Sequence, residues 1–287
     1  MAQLARLARL DRDPFNRWDL LQRLATDALL GAAHAEAATQ ALSDVLADLL
    51  EDASADPAFV AECLALPDFD TLAEQVADSV RRRGDGRPVI AVGHSLGGMT
   101  SFMAAHRHPG LFSGLVMMDP AYINPLAAMV MGAAKLTGQV DRLTPAGRSK
   151  GRRSVWPSRD AMRTSLRSKG LFRSFRDDCF EDYVTHGLTD CEEGVRLVYE
   201  PEREVEMFRH TPSDTWRYRR QLAIPRALIS GETSEFLRGG TMHKLAAAQG
   251  IPLETTVGAH MFPFEYPNET AALVRGHILR MHAGQGA

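Results

Sequence analysis

The sequence predicts an α/β chain in two parts: an all-α N-terminal segment, then a short parallel sheet of about four strands that carries a helical insertion. Three observations point there. Three brief apolar runs, at 89–92, 115–118 and 227–229, and a β-prone run at 253–257 are separated by stretches long enough for crossover connections, which is the layout of parallel strands. Residues 1–84 hold no strand-like run at all. The first apolar run leads straight into Gly93-His94-Ser95-Leu96-Gly97, and a helix-like run, 99–105, follows it.

Taken in order, the N-terminal segment reads as helices. Asp13-Pro14 is a helix start, with the acid as cap and proline in the first turn, and Phe15, Trp18, Leu21 and Leu24 then recur at helical spacing. Residues 35–50 place Leu42, Val45 and Leu49 on one face. Asp56-Pro57 starts another helix, and Asp70 or Thr71 caps a fourth with Leu72, Val76 and Val80 on its apolar side. Gly84-Asp85-Gly86 turns the chain into the first strand.

The frame around Ser95 has a physical rationale. A serine on a tight, strained turn between strand and helix has its hydroxyl clear of the sheet. Side chains at Gly93 and Gly97 are expected to meet the neighbouring strand and helix. The next strand ends in Asp119-Pro120. Residues 123–215 form the insertion, basic between 148 and 176 and acidic from Asp177 to Glu193, and are expected to be a helical cap whose two halves pair with each other. His106 and His108 end the helix after Ser95, where cationic groups suit the helix dipole. The last strand leads into Gly258-Ala259-His260-Met261-Phe262-Pro263.

Composition sets outer bounds. The chain has 287 residues, 45% of them hydrophobic, enough for an ordinary core, and a formal net charge of −3 that singles out no nucleic-acid partner. Cys63, Cys179 and Cys191 lack metal-ligand spacing and are odd in number, which argues for a reducing compartment and against a disulfide framework. With no apolar stretch long enough for a membrane span or a signal peptide, the expectation is a cytoplasmic protein.

The strand, turn and helix around Gly93-His94-Ser95-Leu96-Gly97 resemble the nucleophile elbow of the α/β-hydrolases, and the resemblance extends over about 72–287. It implies a serine hydrolase acting on a small acyl substrate (an ester, lactone, thioester or amide) without a cofactor. Ser95 would be the nucleophile, His260 the general base and the Leu96 N–H one oxyanion donor. The usual acid position falls on Ser234, so the acid is left between Asp119 and Glu232. Residues 1–75, through Asp13-Pro14-Phe15-Asn16-Arg17-Trp18, Asp56-Pro57-Ala58-Phe59 and Leu64-Ala65-Leu66-Pro67, resemble the C-terminal helical region of bacterial aminopeptidase N. None of the ten histidines stands in that family's H-E-x-x-H zinc motif, so no metal is expected. The domain expectation is 1–71 and 72–287, with the insertion as a lid. The family's front strands are missing, which leaves the Ser95 strand as an exposed edge open to self-association and removes the loop that supplies the second oxyanion donor. The competing expectation is a fused scaffold with little or no turnover.

Overall fold

The computed structural model describes residues 2–29, 35–52, 54–64, 69–212 and 214–284. They divide into two compact units: 1–68 with 144–154 and 197–211, and 69–143 with 155–196 and 212–287.

The smaller unit is built on α1 (Ala2–Leu10), α2 (Pro14–Leu29), α3 (Ala35–Glu51) and α4 (Pro57–Leu64). Its starts follow the capping rule: Asp13 accepts from the Phe15 N–H at 2.8 Å and Asp56 from the Ala58 N–H at 3.0 Å. Ala8, Leu21, Leu24, Val45 and Leu49 fill its core, whereas Phe15, read as part of that stripe, is exposed. Residues 65–67 of the aminopeptidase-like sequence lie outside the described residues. The segments 144–154 and 197–211, expected within the lid, group with this unit. Arg203 of the helix Pro201–Arg209 donates to the Ala28 carbonyl and to the Thr39 hydroxyl, and Arg152 pairs with Glu204 at 2.8 Å.

The larger unit carries α5 (Phe69–Arg83), α6 (Leu96–Arg107) and α7 (Pro125–Leu136). The strands, in chain order, are β1 (Val89–His94), β2 (Phe112–Met118), β3 (Val155–Trp156), β4 (Leu188–Cys191), β5 (Gly194–Leu197), β6 (Arg226–Gly231) and β7 (Leu253–Thr256). The main sheet is parallel throughout, in the order β1-β2-β6-β7, so all four expected strands are present. Strand alternation splits β2 between two cores. Leu115 and Met117 pack with Phe69, Met99, Phe102 and Leu245 on one face; Val116 and Met118 pack with Ile229, Phe262 and Met281 of the C-terminal helix Pro267–Ala283 on the other. Strands buried on both faces read as continuous apolar runs, which is why β2 was visible in the sequence.

β1 is an edge: among the described residues it pairs with β2 alone, and Val92 is 43% exposed. Asp70 is not a cap. It lies inside α5, where its carboxylate pairs with Arg107 at 2.6 Å and accepts from the Tyr218 hydroxyl at 3.0 Å. The expectation for His106 also needs correction. Its ring is packed edge-on against Phe102 and Tyr218, and burial, with Arg226 and Arg220 nearby, brings its pKa down to about 4, so it adds no positive charge to the helix end. The insertion is not purely helical either. β3, β4 and β5 form a small sheet in the order β3-β5-β4. Its charges pair internally: Arg163 holds Glu181 with two bonds of 2.8 Å, Arg159 meets Asp190 at 2.7 Å, and Arg167 meets Asp177. Among the described residues no helix is long and apolar enough to cross a membrane.

Candidate active site

Ser95 sits between β1 and α6 with φ 53° and ψ −117°, a left-handed backbone region that a residue with a side chain rarely adopts. Three backbone bonds hold the turn. The Ser95 N–H donates to the Met118 carbonyl at 2.9 Å, and its own carbonyl accepts from the N–H groups of Met99 (3.1 Å) and Ala121 (3.0 Å). A Cβ on Gly93 would lie 2.5 Å from the backbone of Gly97, so that glycine is required by close approach. Gly97 is not: a Cβ there meets nothing within 4 Å. The second crowded position is Gly98, where a Cβ would be 3.0 Å from the Gly93 carbonyl and 3.2 Å from Pro120. Leu96 opens α6, so its N–H has no carbonyl one turn earlier within the helix.

The same backbone device closes β2. Asp119 has φ 42°, is fully buried, and donates its N–H to the Ile229 carbonyl at 2.9 Å. Its Oδ1 accepts from the Ser230 hydroxyl at 2.5 Å, and its Oδ2 faces His260 Nδ1 at 3.1 Å. His260 Nε2 in turn lies 3.1 Å from Ser95 Oγ. A hydroxyl, an imidazole and a buried carboxylate therefore form one continuous hydrogen-bonded chain.

His260 rides a loop fixed at several points. A side chain on Gly231 would run into the Ala259 carbonyl at 2.3 Å, and Gly258 adopts φ 109°. Thr233 donates its N–H to the Gly258 carbonyl at 3.0 Å, and Glu265 accepts the Ala259 N–H at 2.7 Å. His94 Nε2 lies 2.8 Å from the His260 carbonyl, and the Phe236 ring is 4.8 Å from the His260 ring. Burial holds the His94 imidazole below its ordinary pKa, which favours the neutral ring.

The other acid candidate stands elsewhere. Glu232 is exposed one strand further on, with its N–H bonded to the Thr256 carbonyl at 2.8 Å. Ser234, at the position where the family carries its acid, is buried and caps a short helix by accepting the Phe236 N–H. His94, Ser230 and Phe236 went unnoticed in the sequence. His94 occupies a variable place in the serine frame, and Ser230 belongs to no motif. Among the described residues no set of three or more His, Cys, Asp or Glu side chains could hold a metal ion.

Comparison with known proteins agrees with this architecture. The family described as serine aminopeptidase, S33 matches residues 64–169, and a domain of unknown function (DUF3458_C) described as ARM repeats matches residues 1–87. Human monoglyceride lipase is 34% identical over 71 residues, 23% of this chain and 23% of the lipase. The type I acyl-CoA thioesterase mpaH of Penicillium roqueforti is 32% identical over 105 residues, 36% of this chain and 22% of the thioesterase. The matched stretches make up only 22–36% of the lengths of such relatives. In structure, the peroxisomal alpha-beta-hydrolase Lpx1 of Saccharomyces cerevisiae superposes with a TM-score of 0.59 at 16% identity, over 76% of this chain and 62% of that one. Parallel sheet, elbow turn and these likenesses together make the larger unit of this chain an α/β-hydrolase in fold, preceded by a helical segment like the C-terminal region of aminopeptidase N.

Proposed function

We propose that the chain is a serine hydrolase that cleaves a carboxylic ester, lactone or thioester through Ser95, His260 and Asp119. The observation that carries the reading is the pair of 3.1 Å contacts linking Ser95 Oγ, His260 and Asp119 in that order. His260 Nε2 takes the Ser95 proton as Oγ attacks the substrate carbonyl, and the resulting imidazolium faces the buried Asp119 carboxylate. The Leu96 N–H donates to the developing oxyanion. His260 then protonates the leaving group, and in the second half it activates the water that releases the acid and regenerates Ser95. Relatives named as a lipase and a thioesterase support an acyl substrate. A fluorophosphonate probe tests the reading. Wild-type protein should label at Ser95 and hydrolyse short p-nitrophenyl esters, and Ser95→Ala should lose both. Ester hydrolysis that survives in Ser95→Ala would sink the assignment.

One observation favours a second reading, a scaffold with very weak turnover. No strand precedes β1 among the described residues, so the loop that would carry a second oxyanion donor has no strand to project from. Losing one such donor costs about 10²–10³ in rate. Stoichiometric labelling of Ser95 with turnover near background would select this reading. Either way, the free edge of β1 is where we place self-association. Size-exclusion chromatography should show higher oligomers as concentration rises, and a monomer at all concentrations would count against it.

A further inference from the structure

We propose that His94 is a positioning residue: from the strand that ends in Ser95, its Nε2–H holds the backbone carbonyl of His260 and so sets the distance between nucleophile and base. The inference rests on the reading of His260 as the general base.

The other holds on this loop fall short of His260 itself. Thr233 fastens Gly258, and Glu265 fastens Ala259. Among the described residues, the 2.8 Å contact from His94 is the one that reaches the His260 carbonyl. It does so from the residue next to Ser95, so a single side chain spans the two halves of the reacting pair, which β1 and the loop after β7 bring together from opposite edges of the sheet. A carbonyl oxygen can only accept, so the contact requires hydrogen on His94 Nε2.

The surroundings fix the ring as well. Its centroid is 4.8 Å from that of His260, and the rings of Phe262 and Phe264 stand edge-on to it at 6.2 and 6.5 Å. A second cation this close to His260 would oppose formation of the imidazolium during proton transfer. Burial foremost disfavours a charged His94; the backbone bond to His260 opposes it, the His260 charge adds to it, and the pull of Asp119 is the smallest, with the net shift downward. A neutral imidazole has one N–H to give, and this arrangement commits it to the His260 carbonyl. Small displacements of a base from its nucleophile are costly, with about 1 Å worth about 10²-fold in rate.

The test compares His94→Phe, which keeps a ring but removes the donor, with His94→Gln, whose Nε2 is the same number of bonds from Cβ as that of histidine. His94→Phe should lower kcat about 10- to 100-fold with KM nearly unchanged, and His94→Gln should recover most of the loss, with both variants melting near the wild type. If the phenylalanine variant does not fold, His94→Asn replaces it, since its amide is too short to reach the carbonyl. Full activity in a folded variant lacking the donor, or a glutamine variant as impaired as phenylalanine, would overturn the inference. A measurement independent of turnover separates this from a failure of the hydrolase reading. In ¹⁵N-histidine NMR spectra of the wild type, His94 should be the neutral Nε2–H tautomer, and the Nδ1 proton shared by His260 and Asp119 should weaken in His94→Phe and persist in His94→Gln. A charged His94, or one protonated on Nδ1, refutes the proposal even in a protein without activity.

Discussion

Ser95 and Asp119 end adjacent strands by the same backbone device. Each has a positive φ, 53° and 42°, and each donates its N–H to a carbonyl of the next strand over, Met118 and Ile229. Their sequence frames have nothing in common. Gly93 precedes Ser95 because the chain doubles back against itself there and leaves no room for a Cβ at that position. Asp119 is followed by proline, and its left-handed backbone is held by its neighbours: the Ile229 carbonyl behind it and the Ser230 hydroxyl on its carboxylate. Strain that comes from local crowding writes a glycine motif, whereas strain imposed by tertiary contacts leaves no mark in the sequence.

The comparison can be broken most directly at the acids. Asp119→Asn should lower kcat by about 10²–10⁴ by spoiling the tautomer and orientation of His260, while Glu232→Gln should leave steady-state rates close to wild type. If the glutamine variant is the more damaged, the exposed carboxylate moves into the site on substrate binding and the assignment of Asp119 is wrong. The glycines come next. Gly93→Ala must push the Gly97 backbone aside and should cost about 1–3 kcal/mol in urea unfolding, with loss of Ser95 labelling. Gly97→Ala enters open space within a helix and should be neutral or stabilising by up to about 1 kcal/mol. Equal effects of the two would mean that crowding is not what selects Gly93.

The smallest effect concerns a histidine outside the site. Burial lowers the pKa of His106 from 6.5 to about 4 in the folded protein. Between those values the unfolded chain binds a proton that the folded chain does not, so stability is fully present above pH 6.5 and falls as pH drops toward 4. His106→Phe, keeping an aromatic ring between Phe102 and Tyr218, should flatten the dependence of Tm on pH in that window; an unchanged slope would assign it to other groups.

Much of the architecture could be read from residue order. β2, covered on both faces, was visible as an uninterrupted apolar run, β1 and β6 as shorter apolar runs, and β7, Leu-Glu-Thr-Thr, by its place before the His260 loop, while Ser95 was visible because the turn demands a glycine at position 93. His260 could be located by its place after the last strand. Residue order gives Asp119 only a slight preference over Glu232, since each follows a strand and the distinction depends on which strand end lies beside Ser95. Asp119 ends β2, which lies next to β1, and Glu232 follows β6, one strand further away. β3, β4 and β5 escaped notice because strands of two to four residues are too short to display alternation. Gly97 looked as necessary as Gly93 because the motif shows spacing and not which glycine faces the strand.

The free side of β1 has a consequence for amide exchange. Ser95 sends its N–H toward β2, so by alternation along the strand the N–H groups of Gly93 and Ala91 also face β2, while those of His94, Val92 and Ile90 face away from it. One strand should thus combine slowly and rapidly exchanging amides at successive residues, right up to the elbow. The amide of His94 should fall in the fast set even though its imidazole contacts the His260 carbonyl. Deuterium uptake resolved to single residues would then follow the strand's period of two, and occupation of that edge by another strand would erase the alternation while leaving the Ser95 amide unchanged.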